Sequence, residues 1–295
     1  MLVGRVRWAK GLIATAHSDL DQSIVEYHEA LGALELAGER EDAIRVHNLI
    51  AENLRFFGQL HESWIEQRQA LLLLDEVADI GGREGILGSA ANACIRGELP
   101  NAAAVFFDVM VDEAEQSGRP FQIVGAYLRR ARSSWRLGSA DRAIRDLEVA
   151  RAGLSRITDA SLARTQEIEV LAQEGEVFQK QMPDRAIGAL DDAIESLVRS
   201  RSYNRLPSLF LARGRARVAR GTIDAAEQDF LRGIEIFEEA HDRIGRDDLR
   251  TSHFDEAWHL FAEMVSLHAM RHIRNRKTSL FLEATSRIAR CADRM

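Results

Sequence analysis

Two histidines near the carboxyl end of the chain have the spacing of a pair of metal ligands. His268 and His272 are four residues apart, so on a helix their imidazoles would share one face. A zinc site needs at least three protein ligands, and neither an HExxH motif nor a pair of closely spaced cysteines accompanies them. We therefore interpret them as ordinary helix histidines, and we predict neither a metal site nor a cofactor.

Cys94 is a second candidate for chemistry, because a thiolate can act as a nucleophile. Its small and apolar neighbours Ala91 and Ile95 favour a buried, unreactive thiol. The paired carboxylates Asp191–Asp192 and Asp247–Asp248 fall at solvated helix positions, and no glycine-rich phosphate loop is present. Since no nucleophile is paired with a base, the sequence predicts that the protein is not an enzyme.

The composition favours helices and excludes two classes of partner. The chain has 295 residues, only 4 prolines, 29% charged residues and a formal net charge of −7. A negative charge argues against direct nucleic-acid binding, which depends on neutralising phosphates. The longest apolar run, Ala70–Leu74, is far shorter than the ~20 residues of a membrane span. With two distant cysteines, Cys94 and Cys291, and no signal-peptide pattern, we predict a cytoplasmic protein without a membrane partner.

A pattern of small and large residues recurs about every 40 residues. In the clearest copy, Phe210–Gly233, Ala226 is followed four residues later by Phe230 and seven later by Gly233. Gly221 lies five residues before Ala226 and separates two amphipathic runs, because glycine ends a helix in the left-handed conformation without steric cost. The six copies have the small residues Ser23, Ser63, Ala102, Ala143, Ala186 and Ala226, preceded by the breakers Ser18, Gly58, Gly97, Gly138, Gln181 and Gly221.

Another small residue precedes each of these positions by twelve, where the two helices of a copy must touch. Gly214 is the example in the clearest copy, and the fifth copy departs from the pattern with Glu174 followed by Gly175. The remaining copies have Gly11, Ala51, Ala90 and Ala131.

This pattern resembles the tetratricopeptide repeat over roughly residues 5–240. The family consensus has small residues at the eighth, twentieth and twenty-seventh positions and a large one at the twenty-fourth. Its usual unit has 34 residues, and longer units like these are typical of bacterial signalling and regulatory versions. The resemblance implies an all-α, right-handed α–α superhelix over 1–241, with repeats at about 5–37, 40–79, 83–117, 121–157, 160–200 and 204–241, and a degenerate or capping helix pair over 242–295.

The last segment carries a second resemblance. Residues 242–295 contain two predicted helices, at about 247–270 and 276–293, and the second has an L-E-x-x-x-R-x-x-R pattern formed by Leu282, Glu283, Arg287 and Arg290. Similar endings occur in bacterial arrays coupled to a caspase-like CHAT protease domain, whose catalytic residues lie beyond this point. The resemblance implies a sensor region that regulates such an effector, and the pair is either a plain cap or a hinge.

In tetratricopeptide solenoids the first helix of each pair lines a concave surface that binds partners. Transferred to this chain, that surface is rich in arginine and aromatic residues. Guanidinium groups suit bidentate contacts with carboxylates, and aromatic side chains form anchoring pockets. The predicted groove residues are Arg45, Asn48, Arg55, Arg132, Trp135, Arg136, Phe178 and Arg215. In the third repeat, the same positions of the pattern are Leu87, Ala91 and Cys94.

These side chains predict a non-enzymatic scaffold or sensor that binds an acidic peptide or protein. The arginines could instead pair with acidic residues of neighbouring helices. The chain could also be the ligand-sensing region of a bacterial transcriptional regulator, or a hydrolase with an unrecognised site. The carboxylate clamp of chaperone-binding family members does not match, because the first repeat presents Trp8 and Leu12 instead.

Overall fold

The structure is a computed structural model that describes residues 2–17, 19–200, 203, 205–241 and 258–271. Within these ranges the chain is helical and contains no strand, as the composition predicts. The helices are α1 (Leu2–Ala16), α2 (Leu20–Leu36), α3 (Arg40–Phe56), α4 (Leu60–Leu72), α5 (Ile80–Arg96), α6 (Pro100–Ser117), α7 (Pro120–Arg136), α8 (Ala140–Gly153), α9 (Ala160–Phe178), α10 (Pro183–Arg199), α11 (Leu206–Arg220), α12 (Ile223–His241) and α13 (258–271).

The chain forms two compact units. The N-terminal unit, Met1–Ile157, contains α1 to α8, and the C-terminal unit, Thr158–Met295, contains α9 to α13. In the N-terminal unit, consecutive helices are joined by short connections and pack against each other. In the C-terminal unit, α9 packs on α10, α10 on α11 and α11 on α12. No helix in the described ranges has both the length and the apolar character needed to cross a bilayer.

The paired helices approach closely where a small residue faces a large one. A Cβ atom added to Gly11 would lie 2.3 Å from the Tyr27 ring, and one added to Gly214 would lie 2.2 Å from the Phe230 ring. Both rings are fully buried. Glycine is therefore required at these two positions because the ring of the second helix occupies the space of its side chain.

The fifth repeat follows the same rule one residue later than the pattern predicts. A Cβ atom on Gly175 would lie 2.3 Å from Leu190, so Gly175 is the contact residue. Glu174 is buried beside it and pairs with Arg185 at 3.2 Å. The glycine next to the expected position thus restores the packing that Glu174 would interrupt.

The register predicted for the third repeat is wrong by one residue. Ala103, Phe107 and Met110 are buried, whereas the predicted Ala102 is only half-buried. The correction makes the spacing regular, since the buried small residues of the first four repeats are 40 residues apart, at Ser23, Ser63, Ala103 and Ala143.

The misassigned turn explains the error. Gly97 is the predicted breaker, but its φ is −83°, and the left-handed residue is Glu98 with a φ of 57°. Glu98 lies five residues before Ala103, as Gly58 and Gly138, both left-handed, lie five before Ser63 and Ala143. Because Gly97 lies next to the turn residue Glu98, the sequence pattern places the turn, and with it the third repeat, one residue too early.

Replacing Glu98 with glycine is expected to raise the free energy of unfolding by about 0.5–1 kcal/mol, because a side chain in the left-handed region costs more than glycine's added freedom in the unfolded chain. Urea denaturation measures the change. The control is Gly97→Ala, whose Cβ would have only ordinary contacts, the nearest 3.4 Å from the Ala93 carbonyl oxygen. Destabilisation by Glu98→Gly would contradict the corrected register.

α13 packs on α12 within the C-terminal unit. Leu260, Phe261 and Met264 form a buried cluster with Phe230 and Phe237 of α12. The helix coincides with part of the predicted helix 247–270, while Phe254, the predicted helix 276–293 and its Leu282–Arg290 pattern lie outside the described residues. The division of the chain into an array over 1–241 and a terminal pair over 242–295 stays a prediction.

The histidine that suggested metal binding has a protein partner. His268 Nε2 lies 2.9 Å from Glu227 Oε1, and His272 lies outside the described residues. Among the described side chains, no group of three His, Cys, Asp or Glu residues is arranged to hold a metal ion.

Candidate functional site

Two adjoining cavities open on the N-terminal unit, along the first helices of the second, third and fourth repeats. Their volumes are about 330 and 390 Å³. Both are lined mainly by α3, α5 and α7. We call this surface the α3–α5–α7 groove; the side chains that line both of its cavities are Glu52, Ser89, Asn92, Ile95 and Arg136.

The 40-residue period aligns the groove side chains in columns. Equivalent positions on successive first helices come to lie side by side, because each repeat stacks on the previous one in the same register. The two columns that line the cavities are Phe56, Arg96 and Arg136, and, one helical turn earlier, Glu52, Asn92 and Arg132.

The register error hid the middle member of each column. With the third repeat displaced by one residue, the pattern assigns Leu87, Ala91 and Cys94 to the groove, and all three are buried. One residue rotates a helix by about 100°, which exchanges the groove face for the core face. Burial also raises the pKa of the Cys94 thiol, in agreement with the predicted unreactive cysteine.

The groove carries a strong positive charge in an acidic protein. The cavity linings contain Arg55, Arg96, Arg129, Arg132 and Arg136, and Glu52 is their acidic member. Arg96 and Arg136 are exposed, and neither forms an ion pair with a carboxylate of the described residues. These two guanidinium groups are therefore available to an anionic ligand.

Arg55 lies at the buried edge of the groove and is 8% exposed. Its Nη1 donates to Ser63 Oγ at 3.3 Å and to Gln67 Oε1 at 3.1 Å. Its Nη2 donates to Ser89 Oγ. Arg55 thus joins three helices, since these hydroxyl and amide groups belong to α4 and α5.

Asn48 and Trp135 are placed near the groove but do not line its cavities. Asn48 is buried, and its Nδ2 donates to Glu52 Oε1 at 3.3 Å. Its Oδ1 accepts from Gln67 Nε2 at 3.1 Å. These two hydrogen bonds allow Asn48 to orient Glu52. Trp135 is half-buried on α7.

Two predicted groove arginines pair with acidic side chains of the protein itself. Arg45 contacts Glu41 and lies 3.5 Å from Asp79, the N-cap residue of α5. Arg215 Nε donates to Glu263 Oε1 on α13 at 2.7 Å. Arg45 therefore pairs with Glu41 of its own helix and, at longer distance, with the start of α5, whereas Arg215 pairs with α13.

The prediction that Phe178 contacts a partner is wrong. Its side chain is 0% exposed, and the Arg185 guanidinium covers the ring at 3.9 Å from its centroid. Phe178 is the last residue of α9, the first helix of the fifth repeat. In this repeat Gly175, one residue later than the pattern predicts, contacts the second helix. Phe178 accordingly faces the core and not the groove.

The sequence matches no protein-family model and no curated protein, but several solved structures share its fold. The STAND protein with a tetratricopeptide repeat sensor from Pyrococcus horikoshii gives a TM-score of 0.68 at 11% identity, covering 96% of this chain and 41% of that one. A Rap protein complexed with Competence and Sporulation Factor gives 0.59 at 16%, covering 99% and 77%. BtubC from P. vanneervenii gives 0.63 at 17%, covering 77% and 94%. The chain therefore has the all-α helical repeat fold of tetratricopeptide proteins, as the sequence predicts.

Proposed function

We propose that this chain, a helical repeat with the tetratricopeptide fold, is a non-enzymatic interaction protein that binds an acidic peptide or protein segment in the α3–α5–α7 groove. The observation that carries the proposal is the set of five arginines lining two adjoining cavities of a chain with a net charge of −7. Guanidinium groups bind carboxylates through paired hydrogen bonds, which gives both attraction and orientation.

An aromatic side chain at the groove supports the same role. Phe56 lines the larger cavity, is 65% exposed, and meets Phe57 edge to face. Exposed aromatic residues beside arginines are typical anchors of protein interfaces. An acidic segment with an apolar residue next to its carboxylates would satisfy both kinds of group.

The structural relatives are consistent with a regulatory binding role. The Rap structure contains a bound factor, and the STAND protein uses its repeats as a sensor. By analogy, ligand binding here would act on an effector, and the L-E-x-x-x-R-x-x-R ending favours a CHAT-type protease as that effector. The protein would then work in the cytoplasm without contacting nucleic acid or membrane.

Peptides selected on the protein from a random display library are expected to be rich in Asp and Glu. Arg132→Gln and Arg136→Gln should each weaken the selected peptides about 10-fold, as loss of a charge-assisted hydrogen bond does, and should reduce the salt dependence of binding. Fluorescence anisotropy of labelled peptides measures both effects.

The matched control is Arg145→Gln, an exposed arginine on the neighbouring α8 that lines neither cavity. It is expected to leave affinity unchanged. Selected peptides without acidic bias, or equal affinity in the Arg132, Arg136 and Arg145 variants, would contradict the proposal.

A further inference from the structure

Arg55 carries a buried positive charge that forms no ion pair with a carboxylate of the described residues. Its described partners, Ser63, Gln67 and Ser89, are all neutral, and no described carboxylate forms an ion pair with it. Burial lowers the pKa of Arg55, Glu52 raises it, and the nearby Arg96 lowers it further. A buried guanidinium without a carboxylate partner is a favourable site for an anion, because the anion removes the cost of the unbalanced charge.

Arg55 also keeps hydrogen-bond donors for a ligand. A guanidinium has five N–H donors, of which two on Nη1 and one on Nη2 are used. Ser89 Oγ and Gln67 Oε1 are bonded to each other at 3.0 Å, so they share the edge between Nη1 and Nη2. The edge formed by Nε and Nη2 remains, and it has the paired geometry that binds two oxygens of one anion. Arg55 lines the larger cavity, so this edge is the part of the group left for a ligand.

The charges around the larger cavity indicate the kind of anion. Arg55, Arg96 and Arg136 contribute three positive charges and Glu52 one negative charge, which leaves two positive charges. A carboxylate carries one negative charge, whereas a phosphorylated side chain carries about −1.5 to −2 and has three acceptor oxygens. The Asn92 amide at the same cavity offers a further donor.

We infer that the cavity bounded by Arg55, Arg96 and Arg136 is a phosphate subsite, so that the bound peptide carries a phosphorylated side chain there. The inference rests on the proposed peptide binding and specifies its ligand. The Arg55 guanidinium binds two phosphate oxygens from the buried edge, and the exposed Arg96 and Arg136 close on the group from solvent.

Titration with inorganic phosphate at constant ionic strength tests the subsite without a peptide. The readout is the NMR signal of the Arg55 Nε–H group, assigned with Arg55→Lys. A saturable shift is expected, weakened at least 5-fold in Arg96→Gln and in Arg136→Gln and unchanged in Arg145→Gln. A shift that does not saturate, or that is the same in all three variants, would overturn the subsite. Since Arg96 and Arg136 are exposed, these variants keep the fold on which the buried Arg55 depends.

Phosphoserine placed in turn at each acidic position of a library-selected peptide tests the peptide ligand. At one position we expect at least 10-fold tighter binding than with glutamate at pH 7.5. The gain should shrink at pH 5.5, below the second phosphate pKa of about 6, and should be lost in Arg96→Gln. Glutamate binding as tightly as phosphoserine at every position would overturn the inference and leave the acidic-peptide function intact. If no selected peptide depends on the groove, the proposed function fails, and the phosphate titration alone still decides the subsite.

Discussion

Replacing Arg130 with alanine is expected to lower the free energy of unfolding by about 3–5 kcal/mol, because it leaves a buried carboxylate without a partner. Arg130 Nε and Nη2 donate to the two oxygens of Asp146 at 2.9 and 2.8 Å. Asp146 is 3% exposed, and Arg130 Nη1 also donates to Asp108 at 3.0 Å. The three side chains connect α7 with α8 and α6.

Urea denaturation of Arg130→Ala and of the exposed Arg145→Ala measures this effect against loss of a surface charge. The double variant Arg130→Met, Asp146→Leu should recover most of the stability, since apolar residues of similar size can replace a buried ion pair. A loss below about 1 kcal/mol in Arg130→Ala would show that Asp146 is solvated and that the pair is a surface contact.

The same arrangement recurs in the C-terminal unit, which indicates a structural role. Arg213 donates to Asp229 at 2.6 Å and also contacts Asp191, and its guanidinium lies 5.1 Å from the Phe210 ring centroid. Arg130 has the equivalent contact with Tyr127 at 5.0 Å. Arginine at this repeat position therefore holds helices together, although it lies close in sequence to groove residues.

Glu84→Gln is expected to stabilise the protein by about 3 kcal/mol at pH 8 and to change its stability little at pH 4. Glu84 is 7% exposed, and its Oε1 has no hydrogen-bond partner among the described residues. Burial raises the pKa of this carboxyl from 4.5 to about 7, with Arg129 acting against the shift and Asp79 and Glu113 adding to it. Below pH 4.5 the group is protonated in both states, so it costs nothing.

Above pH 7 the folded chain must hold a buried carboxylate, and the wild-type protein loses stability as the pH rises between these values. The difference between Glu84→Gln and wild type, followed by urea denaturation from pH 4 to pH 8, isolates this contribution. Glu148→Gln, an exposed site on α8, controls for removal of a surface carboxylate. A difference that is independent of pH would show that Glu84 ionises normally.

The fold was predictable because its determinants are local. Each repeat is defined by a small residue, a larger residue four positions after it and a turn residue five positions before it. All three lie within one helical hairpin, and most buried positions follow from them. The third repeat shows the limit of such reading. The turn could be at Gly97 or Glu98, and the helix contact at Ala102 or Ala103. The two assignments differ by a rotation of the helix by one residue, and packing selects Glu98 and Ala103.

The groove was less predictable because charge pairing is not local. Arg45 and Arg136 look alike in sequence, yet the fold brings Asp79 to Arg45 and leaves Arg136 at the cavity. Arg215 similarly meets Glu263, 48 residues away. An even 40-residue spacing, imposed on the first four repeats, would have identified Asn92 and Arg96 from the sequence.

The most direct test of binding in the α3–α5–α7 groove is site-specific photo-crosslinking of a library-selected acidic peptide. A photoreactive amino acid replaces Asn92 in the middle of the groove, and a second variant carries it at Arg145 on α8. We predict a cross-linked adduct at position 92 that excess unlabelled peptide or high salt suppresses, and none at position 145. Equal cross-linking at both positions, or cross-linking at position 145 alone, would contradict the assignment of the groove as the binding site.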